Sequence, residues 1–141
     1  MTKGNDTTRG LDQVPPQSNY AKLTGIDVVS VALDCAVCRM KVTDAVANRN
    51  GALHGGALMT LADNAAGTLA FVNLPVDKTN ITIESKTNFL RGVLVGDTVT
   101  ARCEPLQVGR KLIVLQITMT RGDGKTAAVT TQTHMVIDWS K

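Results

Sequence analysis

The chain has 141 residues, 43% of them hydrophobic and 19% charged, with a formal net charge of +3. That is one globular domain with a sizeable core, and no apolar run approaches the length of a bilayer span, so no membrane partner is expected. The charge is too weak and too dispersed for a nucleic-acid surface, although it would suit a small polyanionic ligand.

Residues 1–17 are rich in Thr, Gly, Asn, Gln and Pro and are expected to form a flexible tail, leaving residues 18–141 as the folded domain. Ser18 is placed to cap a short helix over Asn19–Leu23 that Gly25 stops. Ile26 to Val42 reads as a β-hairpin turning at Asp34-Cys35, with Val29, Val31 and Leu33 on one face of its first strand and Cys38, Met40 and Val42 on one face of its second. A loop over 43–53 leads into a helix over 55–72, about 27 Å long. That helix carries few polar residues and is apolar almost all round, the mark of a core element. Pro75 ends it. Four strands follow, at Asn80–Leu90, Thr98–Leu106, Leu112–Thr120 and Thr126–Asp138, with turns at Gly109-Arg110 and Gly122-Asp123-Gly124. Short loops between consecutive strands make them antiparallel. The class is α+β: an antiparallel sheet wrapped around one long central helix, without an internal repeat or a second domain.

Residues 1–20 hold no apolar stretch of the kind a secretory leader needs, and Cys35, Cys38 and Cys103 are odd in number. A cytoplasmic setting is expected. Cys35-Ala36-Val37-Cys38 has the spacing of a zinc or redox motif but lies on a hairpin and lacks a second ligand pair, so no metal is expected.

The chemistry concentrates in Asn48-Arg49-Asn50-Gly51-Ala52-Leu53-His54-Gly55-Gly56 and Leu61-Ala62-Asp63. A helix N-terminus presents free amides to developing negative charge. A carboxylate inside an apolar helix is costly unless it has a task. Together they suggest the halves of an acyl-transfer site. His54 and Asp63 are nine residues apart, about 900° around the helix and roughly 13 Å along it, so one helix cannot bring both to one atom. Two such helices lying antiparallel across a two-fold axis can, which makes the site a shared one and the protein a homodimer.

These motifs resemble the hotdog-fold acyl-CoA thioesterases of the phenylacetyl-CoA and 4-hydroxybenzoyl-CoA branch, which includes thioesterase superfamily member 2. Phe89-Leu90-Arg91-Gly92, Gly96-Asp97 and Gly109-Arg110 also match signals of that branch, and the likeness covers about residues 15–138. The resemblance implies hydrolysis of an acyl-CoA to free acid and CoA, with no cofactor beyond the CoA of the substrate. It assigns the oxyanion to the Gly55 amide, the base or nucleophile to Asp63 of the partner protomer, orientation of carbonyl or water to Asn48, support of the turn to His54, and positioning of the water to Thr82, where some relatives have Ser. It also implies pairing of dimers into a homotetramer.

Gly56, Leu58, Met59 and Phe71 are candidates for the acyl pocket between the helices, and Arg91, Arg110 and Lys111 for a rim that binds the CoA phosphates. Plainer readings stand beside these. Gly55-Gly56 could serve close packing, Asp63 could sit on an exposed seam, Arg102 and any one of the rim charges could be ordinary surface, and His134 reads as structural. A non-catalytic acyl-CoA-binding protein is the first alternative. A hydratase or dehydratase is the second, weakened because Asp63 is followed five residues on by Thr68 rather than His.

Overall fold

A computed structural model describes residues 9–139. The elements run α1 (Asn19–Thr24), β1 (Ile26–Ala32), β2 (Cys35–Lys41), α2 (Gly55–Val72), β3 (Lys78–Phe89), β4 (Thr98–Val108), β5 (Leu112–Thr120) and β6 (Thr126–Asp138). The six strands form one antiparallel sheet in the order β1-β2-β4-β5-β6-β3. The sheet curls around α2, giving the hotdog arrangement expected.

Helix α2 begins and ends where its sequence says. His54 caps its start, and Asn73 closes its end by donating from Nδ2 to the carbonyls of Leu69 and Leu33, two residues before Pro75. Its burial is one-sided, however. Leu58, Leu61, Ala62, Ala65, Ala66 and Leu69 recur at helical spacing and press on the sheet, where Met40, Ala101, Ile113, Leu115, Ile117 and Met119 meet them. Met59 and Asp63 lie on the opposite, open side. The expectation of a helix buried nearly all round is therefore corrected for the single chain. Its small residues let α2 lie close to the sheet, and its outer face is left uncovered.

The hairpin β1–β2 forms, with Leu33-Asp34 at its turn, one residue earlier than expected. The face of β1 differs more. A bulge between Val28 and Ser30 shifts the alternation, so Val28 and Val31 pack on the core while Val29 is exposed. Strand β4 runs past Pro105 to Val108, with its own irregularity between Pro105 and Gln107, where a residue lacking an N–H would break a regular ladder.

Residues 9–17 of the expected tail lie against the folded domain, and its first eight residues lie outside the described part. The Arg9 and Gly10 amides donate to the carbonyls of Leu74 and Val72. The Arg9 guanidinium lies over the rings of Phe71 and Trp139, at 3.9 and 4.9 Å from their centroids. Aromatic faces compensate a buried guanidinium, which fixes this segment without any apolar sequence pattern.

Candidate active site

The first half of the site is built on the start of α2. His54 is extended, and its Nδ1 accepts the Gly56 N–H at 2.8 Å. The His54 carbonyl accepts from Ala57 and Leu58. The Gly55 N–H has no partner among the described residues, so one amide of the helix's positive end remains free. Both glycines sit close against neighbouring side chains. A Cβ on Gly56 would stand 3.0 Å from His54 Nδ1, and one on Gly55 would stand 3.3 Å from the Phe89 ring. Asn48 folds its side chain back, its Oδ1 accepting from Asn50 and Ala52, and Gly51 takes the left-handed conformation (φ 76°) that this tight loop requires. Asn48 therefore has only its amide nitrogen to offer a substrate. A cleft of about 320 Å³ lies here, bordered by Asn48, Gly55, Leu58, Phe89 and Arg91.

The second half surrounds Asp63. Its Oδ1 accepts from Thr82 Oγ1 at 3.0 Å and from Gln132 Nε2 at 3.2 Å. Gln132 Nε2 also reaches Ser85 Oγ at 3.0 Å, while its Oε1 lies 2.7 Å from His134 Nε2. His134 Nδ1 in turn lies 2.7 Å from the Asn80 amide. Burial holds the His134 pKa below the ordinary imidazole value, opposed by the nearby charge of Asp63. A second cleft, of about 350 Å³, opens at Asp63 and is bordered by Gly56, Met59, Ser85, Gln132 and Tyr20, whose hydroxyl meets Thr60 Oγ1 at 2.9 Å.

Within one chain the predicted residues thus fall into two groups. Asn48, Gly55, Leu58 and Arg91 stand at one cleft, with His54 capping the helix beside it; Asp63, Met59 and Gly56 stand at the other, with Thr82 bonded to Asp63. Eight residues of helix separate Gly55 from Asp63, about 12 Å of rise. Leu58, Met59 and Phe71 do not share one pocket in a single chain. Phe71 packs edge-on against Trp139 and borders a shallower groove with Pro15, Pro16 and Asp63.

The proposed basic rim is also divided. Arg91 follows Phe89, which pairs with Ala128, whereas Arg110 and Lys111 precede Leu112, which pairs with Met135. Those rows are seven positions apart on β6, about 23 Å of strand. Arg102 is taken by Glu104 at 3.1 Å on the outer face.

Sequence reading missed Gln132, Ser85, Asn80 and Tyr20. A signal existed for Gln132: Thr130, Gln132 and His134 put polar side chains at every second position of β6, in the phase that faces the core, and all three are buried. Among the described residues no cluster of three or more His, Cys, Asp or Glu could hold a metal, and no helix is long and apolar enough to cross a membrane.

Residues 50–128 match the family model of the Thioesterase superfamily. A putative esterase of Haemophilus influenzae is 30% identical over 132 residues, 94% of each chain. The acyl-coenzyme A thioesterase PaaI of Escherichia coli is 32% identical over 109 residues, 77% of this chain and 76% of that one. The crystal structure of a Haemophilus influenzae thioesterase superposes with a TM-score of 0.83 at 30% identity, covering 88% of this chain and 87% of the other. The chain belongs to the Thioesterase superfamily. It is a thioester hydrolase on the hotdog fold, of the PaaI-type branch that its motifs resemble.

Proposed function

We propose that the protein hydrolyses acyl-CoA thioesters at two equivalent sites, each shared between the protomers of a homodimer. The observation that carries this reading is the incompleteness of each half. A free Gly55 amide and a carboxylate held by two donors lie on the same helix, too far apart to act on one atom. Setting a second α2 antiparallel to the first brings each Gly55 to the other's Asp63. Two further observations support the dimer. β3 is an edge strand of 12 residues with Ile81, Ile83 and Phe89 exposed, and such an edge is normally covered. The open side of α2 carries Met59 and Asp63, as a helix–helix interface would need. On the outer sheet face Ile81, Met135 and Leu112 pair into one exposed apolar row, which would suit the meeting of two dimers in a tetramer.

In this reading the thioester carbonyl points at the Gly55 N–H of one protomer, where the helix end stabilises the oxyanion. Asp63 of the other, with Oδ1 fixed by Thr82 and Gln132, uses Oδ2 to take a proton from water as the water oxygen bonds to the carbonyl carbon. Collapse of the tetrahedral adduct breaks the C–S bond, and the thiolate recovers that proton from Asp63 to leave as CoA thiol. Direct attack by Asp63 would form an anhydride instead. A single turnover in ¹⁸O-water separates the routes, since only the anhydride can carry unlabelled carboxylate oxygen from Asp63 into the acid. The Asn48 amide nitrogen orients the carbonyl, and Arg91, with Arg110 and Lys111 contributed from elsewhere in the assembly, receives the CoA phosphates. The acyl group occupies the cleft at Met59 and Tyr20. With three free cysteines, two of them buried, a reducing cytoplasm is the setting we propose.

The test is thiol release from a panel of aryl and alkyl acyl-CoAs. Asp63→Asn should lower kcat by at least about a hundredfold while the protein stays folded and dimeric. Near-normal turnover in that variant would remove Asp63 from the mechanism.

A further inference from the structure

The inner face of β6 carries a polar stripe under an apolar helix, which is costly unless every group is paired. Thr130 is paired with Thr87 at 2.8 Å. Gln132 and His134 lead instead to Asp63, and the polarity of that path is set by its end. A carboxylate only accepts, so Gln132 must turn its amide nitrogen to Asp63 Oδ1, and both of its N–H groups are then used, on Asp63 and Ser85. Its Oε1 is thereby aimed at His134, whose Nε2 must carry the hydrogen. Asn80 Oδ1 stands at Nδ1, which suits a ring protonated on both nitrogens; a neutral ring protonated on Nε2 alone has a lone pair there and is met by the same amide turned to present its nitrogen. Either charge state of His134 leaves the Gln132 amide pointing the same way.

We propose that Gln132 and His134 are positioning residues for Asp63: a hydrogen-bond path with a buried centre, Asn80–His134–Gln132–Asp63, locks the amide of Gln132 so that it always donates to one carboxylate oxygen and leaves the other for the reaction. This rests on Asp63 being the reacting carboxylate. Buried networks of this kind specify a single geometry because each member has no alternative partner. Thr82 could not supply that lock alone, since it is exposed and its hydroxyl is free to rotate. The charged surroundings are simple. From α2 only Asp63 faces the path. On β3, Glu84 and Lys86 flank Ser85 and so point to the opposite face of the sheet, and Lys78 is paired with Asp138 of β6 further along. On α1, Lys22 is exposed, and β5 carries no charged residue.

Removing the Gln132 donor takes from the ionised carboxylate of Asp63 a hydrogen bond that its protonated form needs less. Gln132→Met, similar in size but without the amide, should lower kcat about tenfold or more, change KM by less than about twofold, and move the acid limb of the kcat/KM profile to higher pH. His134→Leu should do the same more weakly, and His134→Gln, which keeps a donor toward Gln132, should recover most of the loss. A second readout needs no activity: the protein has only two histidines, so ¹H–¹⁵N correlation of the ring nitrogens reports the His134 tautomer directly. Protonation on Nε2 is expected, with the titration midpoint falling in Asp63→Asn as the opposing charge is lost.

A Gln132→Met protein that loses kcat with an unmoved acid limb, or a neutral His134 protonated on Nδ1, overturns the proposal. Full turnover in Asp63→Asn overturns the assignment of the base, and this proposal with it. That failure is recognisable because it appears in the Asp63 variant rather than in those of the path.

Discussion

The two halves of the site are made of different material. At the start of α2 the working groups are backbone: a free Gly55 amide, shaped by a histidine cap and two glycines that leave room for it. At Asp63 they are side chains, from three elements, joined through Gln132. A backbone donor is fixed by the helix itself and tolerates change in the residues around it. A carboxylate held by side chains depends on the register of β3 and β6 and on the seating of α2, so single substitutions can reach it from several directions.

The sharpest way to break this comparison is to remove one half from each protomer. Gly55→Pro deletes the N–H at the first position of α2, where proline fits, and His54 before it already has the extended backbone (φ −61°, ψ 135°) that a following proline requires. The exposed Phe89 ring must yield slightly. Gly55→Pro alone should cost at least about a hundredfold in kcat, like Asp63→Asn. Random mixing of the two after denaturation should restore about a quarter of wild-type activity, because half the dimers are mixed and each has one intact site of two. Activity that stays at the level of the parents, with mixed dimers shown to form, would mean that each chain works alone.

A smaller effect separates support from chemistry at the helix start. His54→Ala removes the cap on Gly56 and should lower stability by about 1 kcal/mol, read as a shift in urea midpoint. Because the Gly55 amide does not depend on that cap, kcat should fall far less than for Gly55→Pro. Equal losses would give His54 a direct part in the reaction.

This division also explains what could be read in the sequence. Helix α2, its glycine entry and the solitary Asp63 were legible because they lie within one helix, where periodicity alone places every residue. The separation of Gly55 from Asp63, and with it the proposal of a shared site, followed from the same arithmetic. The face of β1 was misread because a bulge at Val28/Ser30 is a pairing event that leaves no mark in alternation. Gln132 was overlooked, and His134 was read only as structural, because their place beside Asp63 depends on which β3 and α2 residues lie opposite, information carried by register rather than by spacing. Ordering of Arg9 depends on Trp139, at the far end of the chain. Arg91 and Arg110 looked like one rim because both are basic and near glycines; the strand order puts them at opposite ends of the sheet.

The smallest effect sharpens the side-chain half through its pH dependence. His134 has a folded-state pKa below the ordinary value near 6.5. As pH falls below that value the unfolded chain takes up the proton first, so it binds more protons than the folded state, and stability declines until the folded pKa is passed. Above it both states are neutral and the contribution is constant. The slope from this one residue is at most about 1.4 kcal/mol per pH unit. His134→Gln cannot titrate, so its stability curve should run flatter than wild type from about pH 6.5 downward and parallel to it above. If His134→Gln instead keeps the wild-type slope, the buried side-chain half is not where the protein senses acid, and the contrast between its two ends would lose its electrostatic basis.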